Sequence, residues 1–198
     1  MAAITAILIA AGESTRMGRP KPLLPWQGKT LLEYQIASLL DCDVQEIVVV
    51  LGHEASQVVP YVRGPGIKSV INPRYREGKA TSIKAGLRSI ARSAEAILLL
   101  AVDQPRPREI LENLVQEHQR TGSLITAPQY QGHGGHPIIF SAALKPELER
   151  ISEETQGVRQ VMDNHKGEVN WVNFDTPIVR LDINDPQSYD EAKRLFGD

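Results

Sequence analysis

An α/β fold, built from βαβ units around a mostly parallel sheet, is what this sequence predicts, and three observations predict it. Short apolar runs alternate along the chain with amphipathic segments. The first run, Ile4–Ala10, is apolar on both faces, as strands covered by helices on either side are. The chain has 198 residues and is 41% hydrophobic, which supports an ordinary buried core and suits one α/β domain better than two.

Taken in order, Ile4–Ala10 is the first strand and residues 11–28 are a long loop rich in glycine, proline and charge. Thr30 reads as a helix N-cap, with Glu33 three residues on completing a capping box, and the helix runs to about Leu40. Residues 46–52 (EIVVVLG) are the second strand and Ile67–Ile71 the third, with a turn-rich loop over 72–78. Residues 81–94 are helical on the stripe Ile83, Leu87, Ile90 and Ala94. Residues 96–102 (AILLLAV) form the most apolar strand, which stops at Asp103-Gln104-Pro105. Beyond it the pattern loosens. A helix over 109–121, a strand over 123–127 and a glycine- and histidine-rich loop over 129–137 precede a strand over 137–140. Two helical pieces, short strands near Trp171 and Leu181, and a helix from Pro186 complete the chain. There is no repeat, low-complexity run or linker, so a single domain over 1–198 is expected.

Charge and composition exclude several classes. Lysine and arginine number 22 against 24 acidic residues, a net charge of -2 with a sequence pI near 6.2, so no nucleic-acid footprint is present. No apolar run approaches the roughly 20 residues that span a bilayer. The N-terminal apolar stretch lacks a basic leader and enters a glycine loop, so it is not read as a signal peptide. Cys42 is the only cysteine, which precludes an internal disulfide and fits a reducing cytoplasm.

The most informative stretch is Ala10-Ala11-Gly12-Glu13-Ser14-Thr15-Arg16-Met17-Gly18-Arg19-Pro20-Lys21. Glycine leaving a buried strand lets backbone N–H groups approach phosphate oxygens, and Arg16 and Lys21 add charge, one as a fork and one as a mobile point. A solvated basic connection is the alternative. The dinucleotide fingerprint fails because no glycine follows Gly12 by two positions, and Pro20, Pro22 and Pro25 forbid the helix a P-loop requires.

Residues 8–33, LIAAGESTRMGRPKPLLPWQGKTLLE, resemble the signature of the MobA-like nucleotidyltransferases, and Leu23-Leu24-Pro25-Trp26 with Ala10-Ala11-Gly12 resembles their molybdenum cofactor cytidylyltransferase branch. The likeness continues through Asn72-Pro73 with Gly78 and Ser82, Asp103-Gln104-Pro105, Gly135-His136-Pro137 and residues 181–186. What it implies is a Rossmann-like three-layer α/β/α fold, CTP as donor, molybdopterin as acceptor and pyrophosphate as product. It also implies that Gly12 and Gly18 contact the nucleotide while Arg16 and Lys21 bind its phosphates.

In a 3-2-1-4 strand order, Asp103 would stand beside the Gly12 to Lys21 loop, within reach of Mg²⁺ on the triphosphate. Locally, Asp103 also suits a turn before proline. The resemblance places a second ligand at Asn184, with Asp182 as the alternative. An amide oxygen there would ligate without adding charge. Ala10, Ala11 and Gly12, closed by Ser82, form the candidate base pocket, although Ser82 equally suits a helix cap. Gly135 and His136 are the candidate acceptor contacts, the glycines of that loop admitting a bulky pterin, while His136 also suits a turn before Pro137. His133 and His136 lack a third ligand for zinc. His118 and His165 read as surface helix residues, and Trp26 as packing beside or beneath the nucleotide loop.

Rival readings remain at this point. They are a guanylyl- or adenylyltransferase on the same scaffold, a cofactor carrier that hands molybdenum cofactor to a molybdenum hydroxylase, and a nicotinamide oxidoreductase. A carrier has no use for Lys21, Asp103 and Asn184 together, and the oxidoreductase lacks its glycine fingerprint.

Overall fold

The computed structural model describes residues 2–197. Its strands are β1 (Ile4–Ala10), β2 (Pro25–Trp26), β3 (Lys29–Thr30), β4 (Glu46–Leu51), β5 (Ile67–Ile71), β6 (Ala96–Ala101), β7 (Ile125–Tyr130), β8 (His133–Gly134), β9 (Ile138–Ser141) and β10 (Val169–Asn173). The helices are α1 (Leu31–Leu40), α2 (Ala55–Val58), α3 (Lys79–Ser89), α4 (Arg108–Thr121), α5 (Lys145–Leu148), α6 (Val158–Asn164) and α7 (Pro186–Phe196).

The main sheet runs β10-β7-β9-β6-β1-β4-β5, with β8 paired to β7. Strands β5, β4, β1 and β6 are mutually parallel, which is the expected 3-2-1-4 order. β9 inserts antiparallel between β6 and β7. Side chains of β1 alternate between two cores, as strand geometry requires. Ile4, Ala6, Leu8 and Ala10 face a core shared with α1, α4 and α7, while Ile7 and Ile9 face one shared with α3, α5 and α6. Three α/β/α layers result.

The start of α1 follows the sequence. Thr30 Oγ1 accepts from the Glu33 amide at 3.2 Å and Glu33 returns a bond to the Thr30 amide at 3.0 Å. Elsewhere the chain departs from expectation. Residues 11–28 are not one loop, since they contain two single-turn 3₁₀ helices, Thr15–Met17 and Lys21–Leu23, and the start of the small β2–β3 hairpin. α3 begins at Lys79 and stops at Ser89, so Ile90 and Ala94 do not extend its stripe. The Ala91 amide is taken at 2.9 Å by the Glu46 carboxylate, which ends the helical ladder. The loop over 129–137 is largely a hairpin, with β7 reaching Tyr130 and pairing β8. Leu181 lies in no strand. Its carbonyl and that of Val179 are claimed by the Arg106 guanidinium instead of a neighbouring strand. His118 is buried, 4% exposed, because it shares the inner face of α4 with Leu111, Leu114 and Val115, and its ring meets Thr126 Oγ1 at 3.0 Å. Trp26 is core, packed among Tyr34, Tyr189 and Phe196.

Candidate active site

The site lies at the carboxyl ends of β1 and β6, the switch point where a parallel sheet opens a crevice. Ser14 adopts φ 54° and Gly18 φ 69°, both left-handed, and these two turns fold the loop after β1 back on itself. The Ser14 hydroxyl accepts from the Lys21 amide at 3.0 Å, fixing where the lysine leaves the backbone. Lys21 Nζ then meets Asp103 Oδ2 at 2.8 Å across 82 residues of sequence, with both side chains mostly buried. The predicted juxtaposition of these two residues is present.

A cavity of about 220 Å³ is lined by Ala10, Ala11, Gly12, Lys21, Ser82 and Asp103, among others. Ser82 does not cap α3. The N-cap is Gly78 at φ 115°, and Ser82 lies a turn inside, where its hydroxyl accepts from Asn72 Nδ2 at 3.0 Å. Arg16 and Gly18 are not among the lining residues. Arg16 is exposed, and its charge reaches Asp185, helping the Ser188 amide hold that carboxyl below its usual range.

A second cavity, of about 850 Å³, shares Ile9, Lys79 and Ala101 with the first. Gly135 and His136 line it. Gly135 owes its missing side chain to its own chain rather than to a ligand, since a Cβ there would come within 2.1 Å of the Val179 carbonyl oxygen. Burial, helped by the charges of Lys79 and Arg106, pushes the His136 imidazole down to about 3, so it is neutral at physiological pH.

Sequence reasoning missed Arg106. It is fully buried and donates to four backbone carbonyls, those of Pro105, His136, Val179 and Leu181, at 2.7 to 3.0 Å. Burial lowers its pKa to about 10, still cationic, with Asp182 and Asp103 opposing that shift. The guanidinium thereby ties the Asp103 loop to the His136 loop and to the 179–181 segment. A charged residue between Pro105 and Pro107 was the available signal.

The Ile183 amide donates to the Asp103 carbonyl at 2.8 Å, and Asn184 is the next residue along, although it lines neither cavity. Asp182 is engaged elsewhere, accepting from Gln104 Nε2 at 2.7 Å. Among the described residues no group of three His, Cys, Asp or Glu could hold a metal ion. The donor set of one cavity-lining carboxylate and a nearby amide fits an ion that draws most of its oxygens from substrate phosphates and water. It does not fit one caged by protein.

In this α/β protein a glycine-bearing loop after the first strand is faced by a lysine–aspartate pair at the sheet's switch point, and the class it belongs to is that of the nucleotidyltransferases. The MobA-like NTP transferase domain matches residues 6–169, and the chain belongs to that family. It is 28% identical to the molybdenum cofactor cytidylyltransferase of Escherichia coli K12 over 198 residues, covering 99% of this chain and 98% of that one. It is also 30% identical to nicotine blue oxidoreductase of Paenarthrobacter nicotinovorans, over 79% of each. Among solved structures, Rv0371c of Mycobacterium tuberculosis H37Rv superposes with a TM-score of 0.85 at 26% identity, covering 100% of this chain and 99% of that one. A manganese complex of Rv0371c superposes at 0.78 and 24% identity, over 96% and 97% of the two chains. No helix among the described residues is long and apolar enough to cross a membrane.

Proposed function

We propose that this protein is a magnesium-dependent cytidylyltransferase that moves CMP from CTP to the phosphate of molybdopterin and releases pyrophosphate. The observation that carries this reading is the Lys21–Asp103 pair on the wall of a small cavity that adjoins a large one. It is supported by the end-to-end likeness to a relative of that name.

The acceptor phosphate is already ionised at neutral pH, so no general base is required. The chain supplies alignment and charge. An acceptor oxygen attacks the α-phosphorus in line with the departing pyrophosphate, and the new P–O bond forms as the α–β bridge breaks. Triphosphate binding draws Lys21 from Asp103 onto the α-phosphate, where charge develops, while Arg16 on the exposed turn takes the β/γ end. Asp103 and Asn184 are the residues that would hold a divalent ion, and that ion would supply neutralisation of the triphosphate charge. Gly12 and Gly18 let backbone amides approach the nucleotide, and Ala10, Ala11 and Ser82 wall the base. Neutral His136 offers the acceptor a hydrogen bond without a fixed charge.

The test is to incubate the protein with Mg²⁺, molybdopterin and each of the four triphosphates while following pyrophosphate. Stoichiometric release with CTP is expected. Release with GTP or ATP instead moves the assignment to a guanylyl- or adenylyltransferase, and none with any triphosphate leaves the molybdenum-cofactor carrier for a hydroxylase. Because one relative is named an oxidoreductase, a parallel arm follows NAD(P)H. Its oxidation without pyrophosphate release replaces the proposal.

A further inference from the structure

The larger cavity has two chemically distinct parts that the transfer reaction leaves unexplained. Where it meets the nucleotide cavity stands Lys79, which lines both. Lys79 has no ion-pair partner among the described residues, and its positive charge is felt at His136. Arg159 and Arg180 also line the cavity, against the single carboxylate of Glu153, so the wall favours an anion. Trp171, on β10, lines only the larger cavity and is 39% exposed, whereas the other tryptophan, Trp26, is 1% exposed. The Trp171 ring rests against Gly134, where a Cβ would lie 3.0 Å from Cζ3 and 3.1 Å from Cη2. Glycine at 134 leaves room for the Cζ3–Cη2 edge of the indole against the hairpin while the ring still lines the cavity. Ile138 and Met162 add apolar lining to the same cavity.

We propose that Trp171 is a stacking platform for a planar heteroaromatic ring and that Lys79 grips the phosphate of the same molecule where the two cavities join. The acceptor is then the phosphate monoester of a flat heterocycle, held ring on the indole and phosphate toward the α-phosphorus. This rests on the transfer reaction proposed above and adds the acceptor's orientation and its two binding residues. An aromatic face is tolerant of which heterocycle it stacks, whereas a lysine at a cavity junction selects for the anion. The cavity's volume, about 850 Å³, lies within the range of small-molecule sites.

Two tryptophans make the proposal directly readable. Titration of the protein with 6-hydroxymethylpterin monophosphate should quench Trp171 emission and leave that of buried Trp26. Trp171→Phe should abolish most of the quenching while retaining binding measured by calorimetry. Trp171→Ala should weaken both the pterin phosphate and the unphosphorylated pterin by about tenfold or more. Lys79→Ala should weaken only the phosphorylated probe, with Lys79→Arg restoring it, and glycerol phosphate should respond to Lys79 alone. CTP binding should be unchanged in the Trp171 variants. If wild-type protein transfers CMP to molybdopterin but both alanine variants keep the acceptor KM and probe affinities, the orientation is wrong and the transfer reading stands. If wild-type protein binds no pterin and releases no pyrophosphate, both fail.

Discussion

Individual side chains set the chemistry of this site, and two of them give sharp expectations. In the proposed reaction Lys21 and Asp103 each neutralise or anchor charge on the triphosphate, so Lys21→Ala or Asp103→Ala should lower turnover roughly a hundredfold or more, the scale of losing one preorganised electrostatic group. Near-native turnover at saturating CTP in both variants would sink these assignments. His136 gives a pH expectation. Its folded pKa, about 3, lies below the ordinary histidine value, so the unfolded chain binds the proton more readily. The neutral ring contributes nothing against unfolding above the ordinary histidine range, and stability falls as pH drops from there toward 3. Between pH 6.5 and 5 the loss is at most about 2 kcal/mol. The unfolding midpoint of wild-type protein should therefore fall more steeply over that interval than that of His136→Gln. Parallel pH curves for the two proteins would contradict the buried, neutral assignment. His118, whose pKa is also lowered by burial, contributes in the same direction in both proteins.

Secondary structure elements hold these residues in place through their ends. The capping box of α1 satisfies amides that would otherwise be unpaired, so Thr30→Ala should cost about 1 kcal/mol in denaturant unfolding, with the m-value unchanged. A cost under a few tenths would show that Glu33 alone caps the helix. α3 is capped differently. Its N-cap Gly78 offers no side chain, and the Ala80 amide is met by Glu153, 73 residues away, at 2.7 Å. This contrast explains what was legible in the sequence. The α1 cap, the apolar strands and the extent of α4 are local patterns, and they were read to within a few residues. Local pattern could not show that Glu46 would stop α3 at Ser89, or that His118 would share the buried face of α4 with a threonine on β7. That Asp103 stands beside the loop carrying Lys21 was legible because strand order places it, whereas their direct contact was not. The carbonyl partners of Arg106 were not, since nothing near Arg106 in sequence names them.

At the scale of the whole molecule, Arg106 is the fastener. Its guanidinium makes four hydrogen bonds to carbonyls on three separate segments, and no small side chain replaces that fork. Arg106→Ala removes the donor to the Pro105, His136 and Leu181 carbonyls, while that of Val179 keeps the His136 amide, at a cost of about 3 kcal/mol or more. Arg106→Lys keeps the charge but recovers only part of the loss. Thermal unfolding checks both, and an alanine variant within about 1 kcal/mol of wild type would show that water fills the guanidinium's place. The order of the segments it joins along the chain also matters. Among the described residues every strand ends by Asn173, whereas Val179, Leu181 and Ile183, which meet Arg106 and the Asp103 carbonyl, come after it. A chain cut after Asn173 therefore keeps each strand of the sheet and loses the tail that latches the Lys21–Asp103 corner.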